Sequence, residues 1–302
     1  MKNSLLSLMR FCVGCQRTFG TTSWTCPACG FAPELLGGLP CFAPELAVDN
    51  TDYDPKHFSV LMTLEDNSFW FQARNRLILW GLSRFFSDTR SLLEIGVGTG
   101  FVMRELRRAL PEASLWASDI HIEGLQFAAE RLAHSVDLLQ VDARRIPFRS
   151  EFDVVCLFDV LEHIQDDEAV LKEVSLALKP GGGLLLTVPQ HMFLWGPFDE
   201  AGFHKRRYGI HELERKVRSA GFDVLLKTSF VSFLLPVLYA SRLRSRWRGR
   251  YDLMDEQDIH PAVDRVFRGL LSAERRLIQA GIRFPLGGSQ LLVARRSGHI
   301  PA

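Results

Sequence analysis

Four cysteines near the N-terminus are the residues of this sequence best suited to hold a metal ion. Cys12 and Cys15 are separated by two residues, and after a gap of ten residues Cys26 and Cys29 repeat that spacing. Two such pairs on tight turns can place four thiolates around structural Zn²⁺. A lone pair would also fit a redox dithiol, but two pairs favour zinc. The Thr-rich stretch 17–24 between the pairs predicts a β-hairpin.

A second group of candidate residues surrounds a glycine-rich turn. A short apolar segment, 92–95, contains Glu94 near its end and is followed by Gly96, Gly98 and Gly100, just before a predicted helix. Glycines at these positions let the backbone approach a ligand closely, and Glu94 would suit a cationic amine of that ligand. A dinucleotide-binding motif would have a glycine at position 101, where this chain has Phe101, so the turn fits a nucleoside better than NAD.

Carboxylates also end the next two apolar segments. Asp119 could accept hydrogen bonds from both hydroxyls of a ribose. Asp142 could accept one from an adenine amino group, with the amide of Ala143 beside it. Each aspartate by itself would equally fit a surface or capping position. Since the carboxyl ends of parallel strands meet at one edge of a sheet, the three ends together predict a nucleoside site there.

The elements that must position these residues follow an alternating pattern from residue 91 onward. Short apolar segments alternate with amphipathic ones, which predicts a doubly wound α/β domain with a parallel sheet. Strands are predicted at 92–95, 115–119, 138–141, 152–158, 183–188, 222–229 and 290–294, and helices at 100–110, 122–134, 166–178 and 211–220. The predicted organisation is a zinc ribbon (1–35), a linker (36–56) and the α/β domain (57–302), with a helical insertion at 231–288.

Charge and apolar content exclude some classes of protein. Lys and Arg number 36 against 35 Asp and Glu, so a large nucleic-acid interface is not expected. The sequence has no run of apolar residues long enough to span a bilayer and no signal-peptide cleavage site. Cysteines arranged for metal binding are typical of a reducing compartment, so we expect a cytoplasmic protein.

Taken together, these motifs resemble the class I S-adenosylmethionine-dependent methyltransferases. LEIGVGTG (93–100), FDVVCLFDVLEHI (152–164) and LKPGGGLLLTVP (178–189) occur in the order of that family, with Asp119 and Asp142 between the first two. The resemblance covers residues 57–230, and FWFQARN (69–75) is similar to the helix before the sheet in its small-molecule and lipid-type branch.

The resemblance implies a seven-stranded, mostly parallel sheet whose last strand is antiparallel, and S-adenosylmethionine as the cofactor. The cofactor-binding residues predicted from the motifs and the resemblance together are Arg74, Glu94, Gly96, Gly98, Gly100, Asp119, Ile120, Asp142, Ala143 and Phe158. Arg74 and Trp70 could close over the cofactor, or they could belong to an ordinary amphipathic helix with an exposed arginine.

The end of the fourth strand bears on the methyl acceptor. It lacks the Asn/Asp-Pro-Pro-aromatic motif of enzymes that methylate amino groups of bases or Gln side chains. The resemblance therefore favours an oxygen or carbon atom of a small-molecule or lipid-linked acceptor. His163, His191 and His204 are the candidate general bases. His163 could instead pack in the core or hydrogen-bond a helix N-terminus.

The long loop after the fifth strand combines aromatic and cationic residues. We expect Trp195, Arg206, Arg207 and Tyr208 to form a substrate lid in which the arginines bind a phosphate or carboxylate. The alternative is a solvated basic loop.

The insertion contains an apolar run, 230–240, followed by the arginine-rich run 242–250. It could lie at a lipid interface with Trp247 as an anchor, cover the substrate pocket or contact a second subunit. Peripheral contact with the inner face of a membrane is therefore one expectation. Two other functions stay open: an RNA methyltransferase whose zinc ribbon contacts RNA, and a catalytically inactive, cofactor-binding regulatory protein.

Overall fold

The computed structural model describes residues 9–48, 56–248 and 260–298. Its strands are β1 (Met9–Phe11), β2 (Thr18–Gly20), β3 (Glu34–Leu36), β4 (Leu39–Cys41), β5 (Ser91–Ile95), β6 (Ser114–Asp119), β7 (Asp137–Gln140), β8 (Phe152–Phe158), β9 (Leu178–Pro189), β10 (Phe222–Phe230) and β11 (Ser289–Arg296). Its helices are α1 (Pro44–Val48), α2 (Lys56–Leu64), α3 (Phe69–Phe85), α4 (Phe101–Ala109), α5 (Ile122–Leu132), α6 (Asp167–Ala177), α7 (Pro197–Ala201), α8 (Glu212–Ser219), α9 (Leu235–Arg248) and α10 (Pro261–Gln279).

A central sheet carries the predicted α/β domain. Its strand order is β10-β11-β9-β8-β5-β6-β7-β4-β3. Strands β5 to β9 run parallel, and β11 is antiparallel to both of its neighbours. All seven predicted strands are present, so the doubly wound fold with an antiparallel last strand is confirmed. Helices α4, α5 and α6 follow β5, β6 and β8 and lead to the next strand, because a parallel crossover must pass over a face of the sheet, whereas β7 is followed by a loop.

Two strands beyond the predicted seven extend the sheet at its β7 edge. The hairpin β3–β4 joins it where Cys41 pairs with Gln140 in parallel register. The Gln140 amide then holds Ala43 on both sides, accepting from its N–H (3.0 Å) and donating to its carbonyl (2.8 Å). The predicted linker, 36–56, is therefore wrong for its first part, because residues 36–43 are bound to the sheet. Its residues 49–55 lie outside the described ranges.

The N-terminal module is held against this domain. β1 and β2 pair antiparallel on either side of the first cysteine pair, so the predicted hairpin within 17–24 is wrong, since only one strand lies there. The amide of Phe11 donates to the carbonyl of Pro147 at 3.0 Å. The Trp24 ring contacts the Trp116 and Phe148 rings edge-on, at centroid distances of 6.1 and 5.5 Å. The ribbon thus shares an aromatic core with the sheet.

The sheet is covered on both faces by apolar side chains. Leu92 and Leu93 are adjacent in β5 and point to opposite faces, as the pleat requires. Helices α3, α4, α5 and α10 cover the Leu92 face, and α6, α8 and Trp24 cover the Leu93 face. This packing leaves the carboxyl ends of β5 to β8 together at one edge.

The insertion before β11 consists of α9 and α10, with residues 249–259 between them outside the described part. Glu274 of α10 is buried and accepts the backbone amides of Val231, Ser232 and Phe233 at 2.6, 2.7 and 2.8 Å. α10 also packs on α3 through Phe69 and Phe267. Among the helices described, none is long and apolar enough to cross a membrane.

Candidate functional site

The glycine turn after β5 is tied to the end of β6. The amide of Gly98 donates to Oδ2 of Asp119 at 2.8 Å, and the other carboxylate oxygen accepts from the amide of His121 at 3.0 Å. Gly96, Gly98 and Gly100 all have positive φ, a conformation that favours glycine. A Cβ on Gly100 would lie 3.2 Å from Cα of Ala128, so this glycine serves the packing of α4 on α5 rather than ligand contact.

Glu94 is a buried acidic residue at this edge of the sheet. Its Oε2 has no hydrogen-bond partner among the described residues. Burial raises the pKa of Glu94 to about 8, while Arg74 nearby lowers it and Asp119 raises it. A buried carboxylate normally has a charged or hydrogen-bonding partner. The site therefore fits a ligand with a cationic amine, as the sequence predicts.

Asp142 lies at the next strand end, but its carboxylate is engaged. The backbone N–H and Nε of Arg144 both donate to Oδ1 at 2.9 Å, and Nη2 donates to Oδ2 at 2.9 Å. A ligand amino group would therefore compete with Arg144, whose side chain is 45% exposed and free to move. Of the other predicted contacts, Ala143 and Phe158 are buried and Ile120 is partly exposed at the same edge.

Arg74 of α3 reaches the end of β8. It is buried, forms an ion pair with Asp159, and stacks its guanidinium over the rings of Trp70 (4.8 Å) and Phe71 (5.3 Å). The alternative of an exposed arginine on this helix is therefore wrong. Its Nε has no hydrogen-bond partner within the described ranges. This unpaired N–H of Arg74 lies near Glu94 and could donate to an anionic group of a ligand, such as a carboxylate.

Glu65 is a site residue that the sequence analysis missed. It follows α2 and accepts the Thr99 hydroxyl of the glycine turn at 2.8 and 2.6 Å, and it pairs with Arg131 of α5 at 2.5 Å. These contacts hold α2 over the glycine turn. No local pattern indicates them, because the three residues come from three separate segments.

Two of the three candidate bases lie together. The rings of His163 and His204 are 4.7 Å apart between centroids, and the buried Glu162 is beside them. Burial, with His204 as the next cause, lowers the pKa of His163 to about 3, so this imidazole is neutral at physiological pH. His191 is not in this cluster and stacks on Phe193. Of the three predicted bases, His163 and His204 therefore share one cluster and His191 lies outside it.

The loop predicted as an anion-binding lid is held from within by ion pairs. Nε of Arg207 donates to Oδ1 of the fully buried Asp199 at 2.7 Å. The buried Tyr208 hydroxyl donates to Oδ2 of Asp167 at 2.6 Å, and Nη1 of Arg206 lies 3.1 Å from the same oxygen. These side chains are saturated by the protein's own carboxylates. We therefore reassign Arg206, Arg207 and Tyr208 from anion binding to holding the loop.

Trp195 lies in the same loop and is partly exposed, with its Nε1 at 3.4 Å from Oε1 of Glu200. It is the predicted substrate residue that stays accessible. Helix α9 covers this loop: the guanidinium of Arg242 lies over the Phe198 ring at 5.3 Å, and the rings of Tyr239 and Phe193 are 6.0 Å apart. The sequence predicts that the insertion lies at a lipid interface, covers the substrate pocket or contacts a second subunit. These contacts favour the second role, because they place α9 over the loop that contains Trp195.

The four predicted metal ligands converge. The Sγ atoms of Cys12, Cys15, Cys26 and Cys29 all lie within 4.8 Å of one another. The Cys12–Cys29 and Cys15–Cys26 sulfur distances are 3.5 and 3.7 Å. Four sulfurs at about 2.3 Å from one tetrahedral ion would be about 3.8 Å apart. The cluster therefore fits zinc.

Comparison with known proteins bears on the fold and on the class. Residues 93–186 match the family model described as a methyltransferase domain. The ubiquinone/menaquinone biosynthesis C-methyltransferase UbiE of Desulfotalea psychrophila is 32% identical over 130 residues, 42% of this chain and 52% of that protein. A malonyl-[acyl-carrier protein] O-methyltransferase of Priestia megaterium is 24% identical over 106 residues, 35% of this chain and 39% of that protein.

The similarity in structure extends further along the chain. Phosphoethanolamine N-methyltransferase 2 of Haemonchus contortus, solved in complex with S-adenosyl-L-methionine, aligns with a TM-score of 0.54 at 19% identity, covering 83% of this chain and 59% of that one. This likeness shows the fold. The chain spans about half the length of UbiE, and 39% of the malonyl-[acyl-carrier protein] enzyme.

Proposed function

We propose that the protein is an S-adenosylmethionine-dependent methyltransferase, since residues 93–186 match the family model described as a methyltransferase domain. The observation that carries the proposal is the buried Glu94, whose Oε2 has no hydrogen-bond partner among the described residues, beside a glycine turn that is hydrogen-bonded to Asp119. A sulfonium nucleoside with an amino-acid tail has the complementary groups. Its amine would face Glu94, its carboxylate Nε of Arg74, and its ribose Asp119.

The chain's own residues position the reactants. The cofactor supplies a methyl group already activated on a sulfonium. The bond from this carbon to sulfur breaks as the bond to an oxygen or carbon of the acceptor forms, and the acceptor's proton leaves to a base or to water. Alignment of the reacting atoms by a closed site contributes about 7–11 kcal/mol. Of the three candidate bases, His163 and His204 lie together beyond the end of β8, but burial lowers the pKa of His163 to about 3, which makes it a poor proton acceptor, so the proton passes to water.

The acceptor that we propose is a small-molecule or lipid-linked compound with an apolar body. Support comes from an apolar surface around the loop and α9, which we call the α9 surface. Its exposed members are Met192, Phe193, Phe233, Val237, Tyr239 and Leu243. UbiE and the malonyl-[acyl-carrier protein] enzyme are named for methylation at carbon and at oxygen. We also propose that the α9 surface contacts a membrane peripherally. The arginine-rich run and its predicted anchor include Arg246, Trp247 and Arg248, whose side chains are not among those that the structure describes.

The zinc ion that we propose for the four cysteines has a structural role. Four thiolates complete a tetrahedral site, so no position stays open for substrate. The module's role is to hold Trp24 against the sheet, where it contacts Phe148 and Trp116.

The test of the proposed function uses the whole protein. It is incubated with methyl-labelled cofactor and fractionated extract, and label is followed into lipid, small-molecule, RNA and protein fractions. We expect label in the lipid or small-molecule fraction and none with Asp119→Ala. Label confined to RNA would replace the proposed acceptor by a nucleic acid. Absence of label everywhere, together with absence of cofactor binding in calorimetry, would overturn the assignment as a methyltransferase.

A further inference from the structure

One carboxylate and two imidazoles converge next to the reacting edge of the sheet. Glu162 and His163 belong to the short 3-10 turn Leu161–His163 after β8, and His204 comes from the loop that follows α7. One ligating atom from each residue lies within 4.8 Å of the other two. Ligands about 2.1 Å from one ion are at most about 4.2 Å apart. Side-chain movements on the ångström scale would therefore bring all three onto a single cation.

Glu162 carries the strongest indication of a missing cation. Its side chain is fully buried, and neither carboxylate oxygen has a hydrogen-bond partner in the described part of the chain. Two arginines, Arg74 and Arg207, are close enough to Glu162 to act on its charge. Arg74 forms its ion pair with Asp159, however, and Arg207 forms its ion pair with Asp199. A buried carboxylate without a partner is costly unless something positive completes its surroundings.

Both histidines are oriented as metal ligands are. Nδ1 of His204 lies 2.9 Å from Oδ1 of Asp199, and Nε of Arg207 donates to the same oxygen at 2.7 Å. The amide of Gly196 donates to the other oxygen, Oδ2, at 2.9 Å. The ring of His163 hydrogen-bonds the backbone of Gly202. In metal sites the second ring nitrogen of a ligating histidine usually donates to a carboxylate or a carbonyl, which fixes the tautomer and leaves the other nitrogen for the ion.

The cluster adjoins the pocket proposed for the cofactor. Glu162 and Asp159 are neighbours after the same strand and repel each other, and Asp159 pairs with Arg74, which lies beside Glu94. A line of charged groups thus runs from the cofactor's carboxylate contact to the histidines. A cation there would lie at the end of β8, next to the residues proposed to bind the cofactor.

We propose that Glu162, His163 and His204 bind a divalent cation of the Mn²⁺, Fe²⁺ or Zn²⁺ class. Three protein ligands leave coordination positions open, and one carboxylate with two imidazoles suits these ions. The next step rests on the proposed function: an oxygen of the methyl acceptor occupies one of the open coordination positions. The cation lowers the pKa of an acceptor hydroxyl, so that its proton passes to bulk water before or during methyl transfer, while the bond from the methyl carbon to the sulfonium sulfur breaks as the bond to the acceptor oxygen forms. The acceptor class is then narrowed to compounds that present a hydroxyl to a metal.

Mn²⁺ is the probe for the test, because thiolates select softer ions and the four-cysteine cluster does not compete for it. Free Mn²⁺ is followed by electron paramagnetic resonance as it is titrated into the full chain with its cysteine cluster loaded with zinc. We expect one Mn²⁺ per chain. Glu162→Gln and, separately, His204→Asn weaken this binding by at least about tenfold. The matched control His211→Gln, an exposed histidine in the same half of the chain, binds like the wild type.

Thermal melting keeps the result interpretable where a variant folds poorly. Wild-type protein gains melting temperature with added Mn²⁺, because the ion binds the folded state, and the Glu162→Gln protein does not. A wild type that leaves all Mn²⁺ free, or variants that bind it like the wild type, would overturn the metal site. Mn²⁺ binding and cofactor binding are measured separately. A wild-type protein that transfers methyl groups but binds no Mn²⁺ would refute the metal site and leave the proposed function standing. Mn²⁺ binding without methyl transfer to any fraction refutes only the proposed function.

Discussion

The amide of Gly98 donates a 2.8 Å hydrogen bond to the carboxylate of Asp119, across the gap between β5 and β6. The aspartate expected to bind ribose hydroxyls therefore also holds the glycine turn in shape. Binding and local stability depend on the same carboxylate, and they can be separated by the choice of substitution.

We predict that Asp119→Ala reduces cofactor affinity by about a hundredfold and destabilises the protein by about 1–3 kcal/mol, since the amides of Gly98 and His121 lose their acceptor. Asp119→Asn retains one acceptor oxygen, so its cofactor affinity and its stability should both lie between those of the wild type and those of Asp119→Ala. Calorimetry with S-adenosylmethionine and urea unfolding measure the two effects. Unchanged affinity in the alanine variant would remove Asp119 from the cofactor site.

Glu94 makes cofactor binding depend on pH. Its pKa in the free protein is raised to about 8 by burial, so the group is protonated at pH 7, whereas it is ionised in the unfolded chain. A cationic amine favours the carboxylate, so binding releases a proton and affinity rises with pH, by up to about tenfold per unit, until it levels near pH 8. Calorimetry at pH 7 in buffers of different ionisation enthalpy detects this proton. Release from Glu94→Gln equal to that of the wild type would contradict the role of Glu94.

The cysteine cluster should stabilise the whole protein and not only its own module. Cys26→Ser with Cys29→Ser releases zinc and frees Trp24 from Phe148. Loss of the contacts of this partly buried tryptophan costs up to about 3 kcal/mol, which lowers Tm by up to roughly 5–10 °C. Metal analysis and thermal melting test this, with Cys41→Ser, outside the cluster, as the control. Zinc retained at one per chain by the double variant would refute the four-thiolate site.

Arg207 should matter for stability rather than for binding an anion. Arg207→Ala leaves the buried carboxylate of Asp199 without its cation, which costs about 3–5 kcal/mol in a buried pair. Arg206→Ala should cost less, because Asp167 keeps Tyr208 and Lys216 as partners. Urea unfolding compares them. An Arg207→Ala protein with wild-type stability but failing acceptor turnover would restore the anion-binding interpretation.

The proposed membrane contact is tested by flotation with anionic and neutral liposomes at low salt. Val237 and Leu243, both on α9 and both members of the α9 surface, are 50% and 39% exposed. We expect the wild type to float with anionic liposomes and the Val237→Gln, Leu243→Gln protein to float less, since apolar area is lost from the interface. Leu225→Gln, an exposed residue on β10, is the matched control. Wild-type protein that stays with the unbound fraction would end this part of the proposal.

The strands, the glycine turn and the cysteine cluster could be predicted from the sequence because each has a local signal. A strand buried on both faces is a continuous apolar run, and its last residues lie at the carboxyl edge of the sheet whatever its neighbours are. Glu94 and Asp119 follow from that rule. The cysteines follow from spacing alone, since a knuckle of two intervening residues sets its own geometry.

What only the tertiary structure decided is which charged and polar groups meet. Arg207 and Tyr208 have the composition of an anion-binding loop, yet Asp199 and Asp167 saturate them. Residues 36–43 have too short an apolar pattern to indicate a strand until Gln140 provides the edge. His204 joins Glu162 from about forty residues away. Electrostatic pairing and edge pairing depend on distances of a few ångströms between segments far apart in the chain, and local sequence contains no measure of those distances.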